Sequence, residues 1–277
     1  MKSIVDPSAL FIDLGAQKRP TVISVVGAGG KTSLLFWLAE LLQASGRRVL
    51  ITTTTHMFMP TSHWPVVFCR DPAMLPHASL TSPISFCFHS WKANQGKVQG
   101  FMPEAIDALV QRPECDVILI EADGSRGMPL KAPDEHEPCI PKSSCCVIAV
   151  MGGHILGAKV STENVHRWSQ FADITGLTPD ATLQLVHRWS QFADITGLTP
   201  DATLQLSDLV ALVRHPQGAF KNVPQGCRRV WFINRFSQCE NAIAQSELLQ
   251  PLQQHDVEAI WLGDIQEHPA IARRFVN

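Results

Sequence analysis

The chain has 277 residues, 45% hydrophobic and 17% charged, with a formal net charge of −2. That is enough apolar material for one large domain with a substantial core. The near-neutral balance gives no electrostatic case for binding nucleic acid or an anionic membrane surface. Eight cysteines show no C-x-x-C pair and no zinc-ligand spacing, so most read as small buried hydrophobes. The apolar stretch near the N-terminus is interrupted by Asp13 and does not read as a signal peptide. The longest strongly apolar run, residues 145–158, is too short to span a bilayer and contains Gly152, Gly153 and His154. These features predict a cytoplasmic protein that neither spans a membrane nor binds nucleic acid.

In chain order, residues 8–17 read as a short helix capping a sheet edge, with Pro20 before the first strand. Residues 22–26 are a β-branched run, the composition of a buried parallel strand. Gly27-Ala28-Gly29-Gly30 and Lys31-Thr32-Ser33 follow directly, then an apolar helix over 34–44, stopped by Gly46, and a second strand at 49–51. This is a β-loop-α-β unit whose loop can wrap a phosphate. Three glycines in four positions remove the Cβ atoms that would hold a polyphosphate away from backbone N–H groups. The free N–H groups and the positive dipole end of the following helix point into the loop. Lys31 would bring positive charge to the β and γ phosphates, and the Thr32 hydroxyl would hold Mg²⁺. The loop is the short form G-x-x-G-K-T, since Val25 stands where G-x-x-x-x-G-K-[ST] needs glycine. It resembles the loop of the Mur-type ATP-dependent ligases more than that of the Ras-like GTPases.

Thr52 to Thr55 end the second strand, where α/β sheets place ligands, although threonine also simply favours strands. Residues 57–100 are rich in Pro, Ser and His, with strand-like pieces at 66–69 and 84–88, and read as a small antiparallel insertion. A helix over 103–111 precedes an apolar strand at 117–120, which ends in Glu121-Ala122-Asp123-Gly124-Ser125-Arg126-Gly127. Acids at the mouth of a buried strand downstream of a phosphate loop form a Walker-B-like arrangement, so Glu121 and Asp123 are candidate Mg²⁺ carboxylates. Lys131 lies between Pro129 and Pro133, which stiffen its loop and can aim it at the anionic site. Glu135-His136-Glu137 invites a metal reading, but neighbours on a loop chelate poorly. A further strand is expected over 146–150.

Residues 165–185 and 186–206 are identical across 21 positions. Solenoid repeats share a pattern rather than every residue and need about three copies, so this identity means a recent tandem duplication or an artefact, not architecture. It offers two His-Arg pairs, His166-Arg167 and His187-Arg188, for one role. The first copy is the better candidate, because it keeps its upstream neighbours. Thr178 and Thr199, each followed by proline, read as helix N-caps. The second would start a helix running from about residue 200 to 214.

Residues 230–233 form another strand, ended by Asn234-Arg235. Where P-loop GTPases carry N-K-x-D, the fourth position here is Ser237, so the guanine-specifying carboxylate is missing. Asn234 remains a candidate base contact, and ATP is expected over GTP. A helix at about 241–252 and a last strand at 259–262 complete an alternating series. The expected fold is a single three-layer α/β domain of P-loop NTPase type, a mostly parallel sheet with helices on both faces.

Taken together, VISVVGAGGKTS, ITTTT, VILIEADGSRGMPLKAPDEHEPCIP, one VHRW element and FINR resemble the YqeC family, accessory proteins of selenium-dependent molybdenum hydroxylases. The resemblance covers most of the chain, and EADGSRGxPLKxPxxHEP is its specific part. It implies a cytoplasmic P-loop protein, grouped with hydroxylase maturation. It also implies that residues 27–33, Glu121, Asp123, Arg126, Lys131, His136 and Glu137 belong to the site. Lys31 and the loop amides would hold phosphates, Thr32 with Glu121 or Asp123 would hold Mg²⁺, and Arg126 or Lys131 would face the transferred group. Two function classes follow. One is a nucleotide-gated protein that docks on a hydroxylase or its maturation factors. The other is an enzyme of Mur-ligase type that moves phosphate on a small-molecule intermediate.

Overall fold

The first strand, Thr21–Gly27 (β1), lies in the middle of the molecule, and its first six residues are buried. It pairs in parallel with Val117–Glu121 (β8) on one side and Cys146–Gly152 (β10) on the other. All twelve residues of those two neighbours are buried. Buried on both faces, such strands need continuous apolar runs rather than alternation. The computed structural model describes residues 6–16, 20–75, 80–111, 114–177, 203–238 and 245–277.

Outward from β8 come Val49–Thr53 (β2), Ile84–Phe88 (β5) and Val66–Phe68 (β4). Outward from β10 come Arg228–Asn234 (β12), Ala259–Gly263 (β13) and Ile271–Val276 (β14). Every neighbouring pair in this nine-stranded sheet is parallel except β13 with β14. The protein is thus a mixed α/β structure around a large, mostly parallel sheet. The chain leaves β1 for β2 on one side and later returns to β10 on the other. The carboxyl end of β1 is therefore a topological switch point, where open α/β sheets place ligands.

Helices cover the two faces with different partners. Pro7–Asp13 (α1) and Lys31–Ala44 (α2) pack on the face that carries Ile23, Val25, Leu119 and Ile148. The α2 residues Leu34, Leu35, Leu38, Ala39 and Leu42 are all buried. They form one stripe along the helix, each leucine contributing about 1.5–3 kcal/mol relative to exposure. Pro103–Leu109 (α3), Trp168–Thr175 (α4) and Leu206–Arg214 (α5) pack on the opposite face with Val22, Val26, Ile118, Ile120 and Val147.

Four local expectations are corrected. The pieces at 66–69 and 84–88 are parallel strands of the main sheet, the first at its edge and the second just inside it. The antiparallel sheet of residues 57–100 is built instead from His56–Phe58 (β3), Ser90–Lys92 (β6) and Lys97–Gln99 (β7). The strand at 259–262 is not the last, because β14 folds back along it. Arg274 of β14 grips the buried Asp13 carboxylate at 2.6 and 2.7 Å, which ties α1 to this edge. The helix expected from residue 200 begins only at Leu206, capped by a reciprocal Gln205–Asp208 box. Before it, Leu204 exchanges backbone hydrogen bonds with residues 157 and 158, which holds it extended. The helix placed at about 241–252 is two short helices, Gln245–Leu248 and Gln250–Gln253. Its first residues, both threonine caps, His187 and Arg188 lie outside the described residues.

Candidate functional site

β1 delivers the glycine loop to the carboxyl edge of the sheet. Gly27, Gly29 and Gly30 have φ of +92°, +82° and +127°, values that disfavour any side chain. A Cβ on Gly27 would also lie 2.3 Å from the Val150 carbonyl oxygen, so the loop rests directly on β10. α2 starts at Lys31, and no side chain caps its first turn. Its leading N–H groups and positive dipole end therefore face the loop, the arrangement that binds anions.

The acids of β8 take up different positions. Thr32 donates its hydroxyl hydrogen to Glu121 at 2.8 Å. Burial pushes the Glu121 carboxyl up from its usual range, and the nearby Lys31 charge and the Thr32 hydrogen bond only partly oppose this. Asp123 spends both oxygens on cations and the loop. It pairs with Lys31 and Lys131 at 2.9 Å each and accepts a hydrogen bond from the Gly27 amide, also at 2.9 Å. Lys31 donates further to the Gly27 carbonyl. Lys131 donates to the Gly124 carbonyl and pairs with Glu137, both at 2.7 Å.

Glu137 in turn pairs with Arg167, which reaches Asp134 at 3.1 Å. Lys31, Asp123, Lys131, Glu137 and Arg167 thus form one chain of alternating charge from the glycine loop to the VHRW element. Burial raises the Glu137 carboxyl, but the Arg167 hydrogen bond and the Lys131 charge outweigh it, so its pKa falls below the ordinary value. Val165–His166 (β11) is held in place by a short parallel ladder with Leu130–Lys131 (β9). Burial, with the charges of Arg167, Lys131 and Arg126, lowers His166 to about 4, so it is neutral near pH 7.

These elements line a cleft of about 970 Å³, near the top of the roughly 300–1,000 Å³ range usual for small-molecule sites. The glycine loop, Lys31, Thr32, Ser33, Glu121, Arg126, Glu137, His166, Arg167 and Asn234 all contribute. Asp123 and Lys131 are 1% and 3% exposed and stand behind this wall, supporting it rather than lining it. Gly27 and Ala28 are likewise not lining residues, and neither is His136. Asn234 is engaged with the loop: its amide donates to the Gly29 carbonyl at 2.7 Å and accepts from the Ile265 N–H. Of the four threonines, Thr55 reaches the cleft, while Thr53 and Thr54 donate to the carbonyls of Glu121 and Cys139. Among the described residues, no group of three or more His, Cys, Asp or Glu side chains could hold a metal ion. A cation here would have to complete its shell from a ligand and water.

Residues not singled out from sequence also line the cleft. They include His154 after β10, His56, Phe58 and Lys97 of the small sheet, and Asp264 to Gln266 after β13. Gly152-Gly153-His154 at the end of an apolar strand was a usable signal, but the others become neighbours only through pairing of distant segments. Arg126, Arg167 and Arg235, all on the cleft, have φ of 53°, 59° and 58°. Non-glycine residues held there cost on the order of 1–3 kcal/mol each and cluster at functional sites.

No helix of the described residues is long and apolar enough to cross a membrane. No solved structure is significantly similar. A family model described as YqeC protein matches residues 23–169, which include the glycine loop, β8 and the first VHRW element. Over the full length of both chains, the sequence is 91% identical to "Uncharacterized protein YqeC" of Escherichia coli (strain K12). The chain therefore belongs to the YqeC family.

Proposed function

We propose that the protein is a Mg-nucleotide-binding protein, with ATP as the nucleotide, built on a three-layer P-loop NTPase-like fold. The observation that carries this reading is the positive-φ glycine loop. It aims the uncapped first turn of α2 into the cleft at the switch point, with Thr32 and Glu121 joined beside it. Loop amides and Lys31 would bind the phosphates, and Ser33 lines the same pocket. Mg²⁺ typically takes one or two carboxylates with phosphate oxygens and water. Thr32 and Glu121 suit that role, whereas Asp123 is already paired with two lysines. Arg126, exposed and in the cleft, is the cation best placed to meet a transferred group.

The resemblance to accessory proteins of selenium-dependent molybdenum hydroxylases supports a maturation role in the cytoplasm. In that role nucleotide binding or hydrolysis would be coupled to a hydroxylase or its maturation factors. The size of the cleft supports a second reading, an ATP-dependent ligase or phosphotransferase of Mur-ligase type, because space remains beyond the glycine loop. Calorimetry with Mg-ATP and Mg-GTP tests the nucleotide site. Binding of ATP over GTP, lost in Lys31→Ala and retained when one copy of the duplication is deleted, is the expected result. No binding by either the full or the single-copy chain sinks the reading.

A further inference from the structure

The cleft has a second wall whose chemistry the nucleotide does not use. In the small sheet, β7 is central, and its Lys97 pairs with Phe58 of β3 and with Lys92 of β6. Residues two apart share a face, so His56, Phe58, Lys92 and Lys97 all stand on one side. Met57 and Val98, from the opposite side, are buried in the core. The sheet is thus anchored by one face and presents the other. Phe58, Lys97 and His56 line the cleft.

Three features of that face call for a ligand. Phe58 is 70% exposed although it lies on an anchored strand. The Lys97 ammonium lies 5.1 Å from its ring centroid, so the aromatic surface already carries a positive charge. Lys92 and Lys97 are direct cross-strand neighbours, an arrangement that costs stability without a counter-charge. Neither has a carboxylate partner among the described residues, and Lys92 instead contacts the His56 ring nitrogen at 2.9 Å. Among the described residues, none that the three strands place on this face is acidic.

Its place in the cleft separates it from the nucleotide's own base. The sheet follows β2, on one side of β1. Asn234, Arg235 and residues 264–266 follow β12 and β13, on the other side. A nucleotide whose phosphates lie on the glycine loop can extend toward β12, which leaves the β2 side free.

We propose that the β3–β6–β7 face is a second ligand subsite, for a small planar aromatic ring bearing a phosphate or carboxylate group. The ring stacks on Phe58 while Lys92 and Lys97 take the anion, with the His56 ring beside them. This inference shares the cleft with the proposed nucleotide site but rests on different residues. The probe is 1-naphthyl phosphate, titrated by fluorescence into the full chain, with 1-naphthol and methyl phosphate as half-ligands. ATP and inorganic triphosphate are titrated in parallel. We expect 1-naphthyl phosphate to bind better than either half-ligand. Phe58→Ala and the double change Lys92→Gln/Lys97→Gln should each weaken it by roughly tenfold. Both variants should bind ATP and triphosphate like the parent.

Absent binding, or binding equal in the parent and both variants, overturns the subsite. A loss of ATP affinity in Phe58→Ala with triphosphate unaffected also overturns it, because the ring then serves the nucleotide base. Failure of triphosphate and ATP to bind the parent removes the nucleotide reading alone, and the naphthyl phosphate result still decides the subsite.

Discussion

On the loop side of the cleft, Lys31 and Lys131, both 3% exposed, are paired with the carboxylates of Asp123 and Glu137. On the small-sheet side, Lys92 and Lys97 stand together without a carboxylate partner among the described residues, next to a phenylalanine 70% exposed. The first wall is charge-balanced before any ligand arrives, so its charges hold backbone in place. The second is unbalanced, so its charges are available to a ligand. Residues of the first wall should therefore carry stability, and residues of the second should carry affinity alone.

The sharpest test of that division is Asp123→Asn. It takes the buried Lys31 ammonium's ion-pair partner and one of the two carboxylates on Lys131, and breaking such a pair costs ~3–5 kcal/mol, read as a lower urea midpoint. An unchanged midpoint would mean that this carboxylate does not hold the two lysines. Gly27→Ala comes next, at about 1–3 kcal/mol from the left-handed backbone alone. The close approach to Val150 adds to that cost, and triphosphate binding should be lost with it. A variant as stable as the parent would show that the loop is not pinned against β10.

His166 offers a pH test of smaller size. Its folded value of about 4 lies below the ordinary 6.5, so on acidification the unfolded chain takes up the proton first. Stability should fall as pH drops from about 6.5 toward 4 and be flat above that window. His166→Gln should remove this part of the slope, and an unaltered slope would assign it to other groups. The smallest expected effect is Phe58→Ala, within ~0.5 kcal/mol of the parent, as for surface changes generally. A large destabilisation would show that the second wall is structural after all.

Much of the main sheet was legible in the sequence. Strands 22–26, 49–51, 117–120, 146–150 and 230–233 are apolar runs broken only by Ser24, and each is a strand buried on both faces. Edge elements were harder. β14 reads Ile-Ala-Arg-Arg-Phe-Val, and only the buried Asp13 gives Arg274 a reason to be there. The pieces at 66–69 and 84–88 are strand-like in composition, but composition does not name a pairing partner, and only the fold assigns them to the main sheet. The glycine loop, Thr32 and Glu121 were legible because their chemistry is local to strand ends. The split between Glu121 and Asp123 was not. Two acids two residues apart look equivalent until Lys31 and Lys131 fold onto one of them.

From the sequence alone came the glycine loop between strand and helix, the order of most buried elements and the identity of the 21-residue duplication. These are short-range properties, since aliphatic runs, glycines before a helix and repeated residues need no distant partner to be recognised. Tertiary structure decided which charges are paired, that His166 and Arg167 line the described cleft, and that β3, β6 and β7 form its second wall. Each of those depends on contacts between segments tens of residues apart. Burial there sets whether a charge is neutralised or left for a ligand, and no local pattern carries that information.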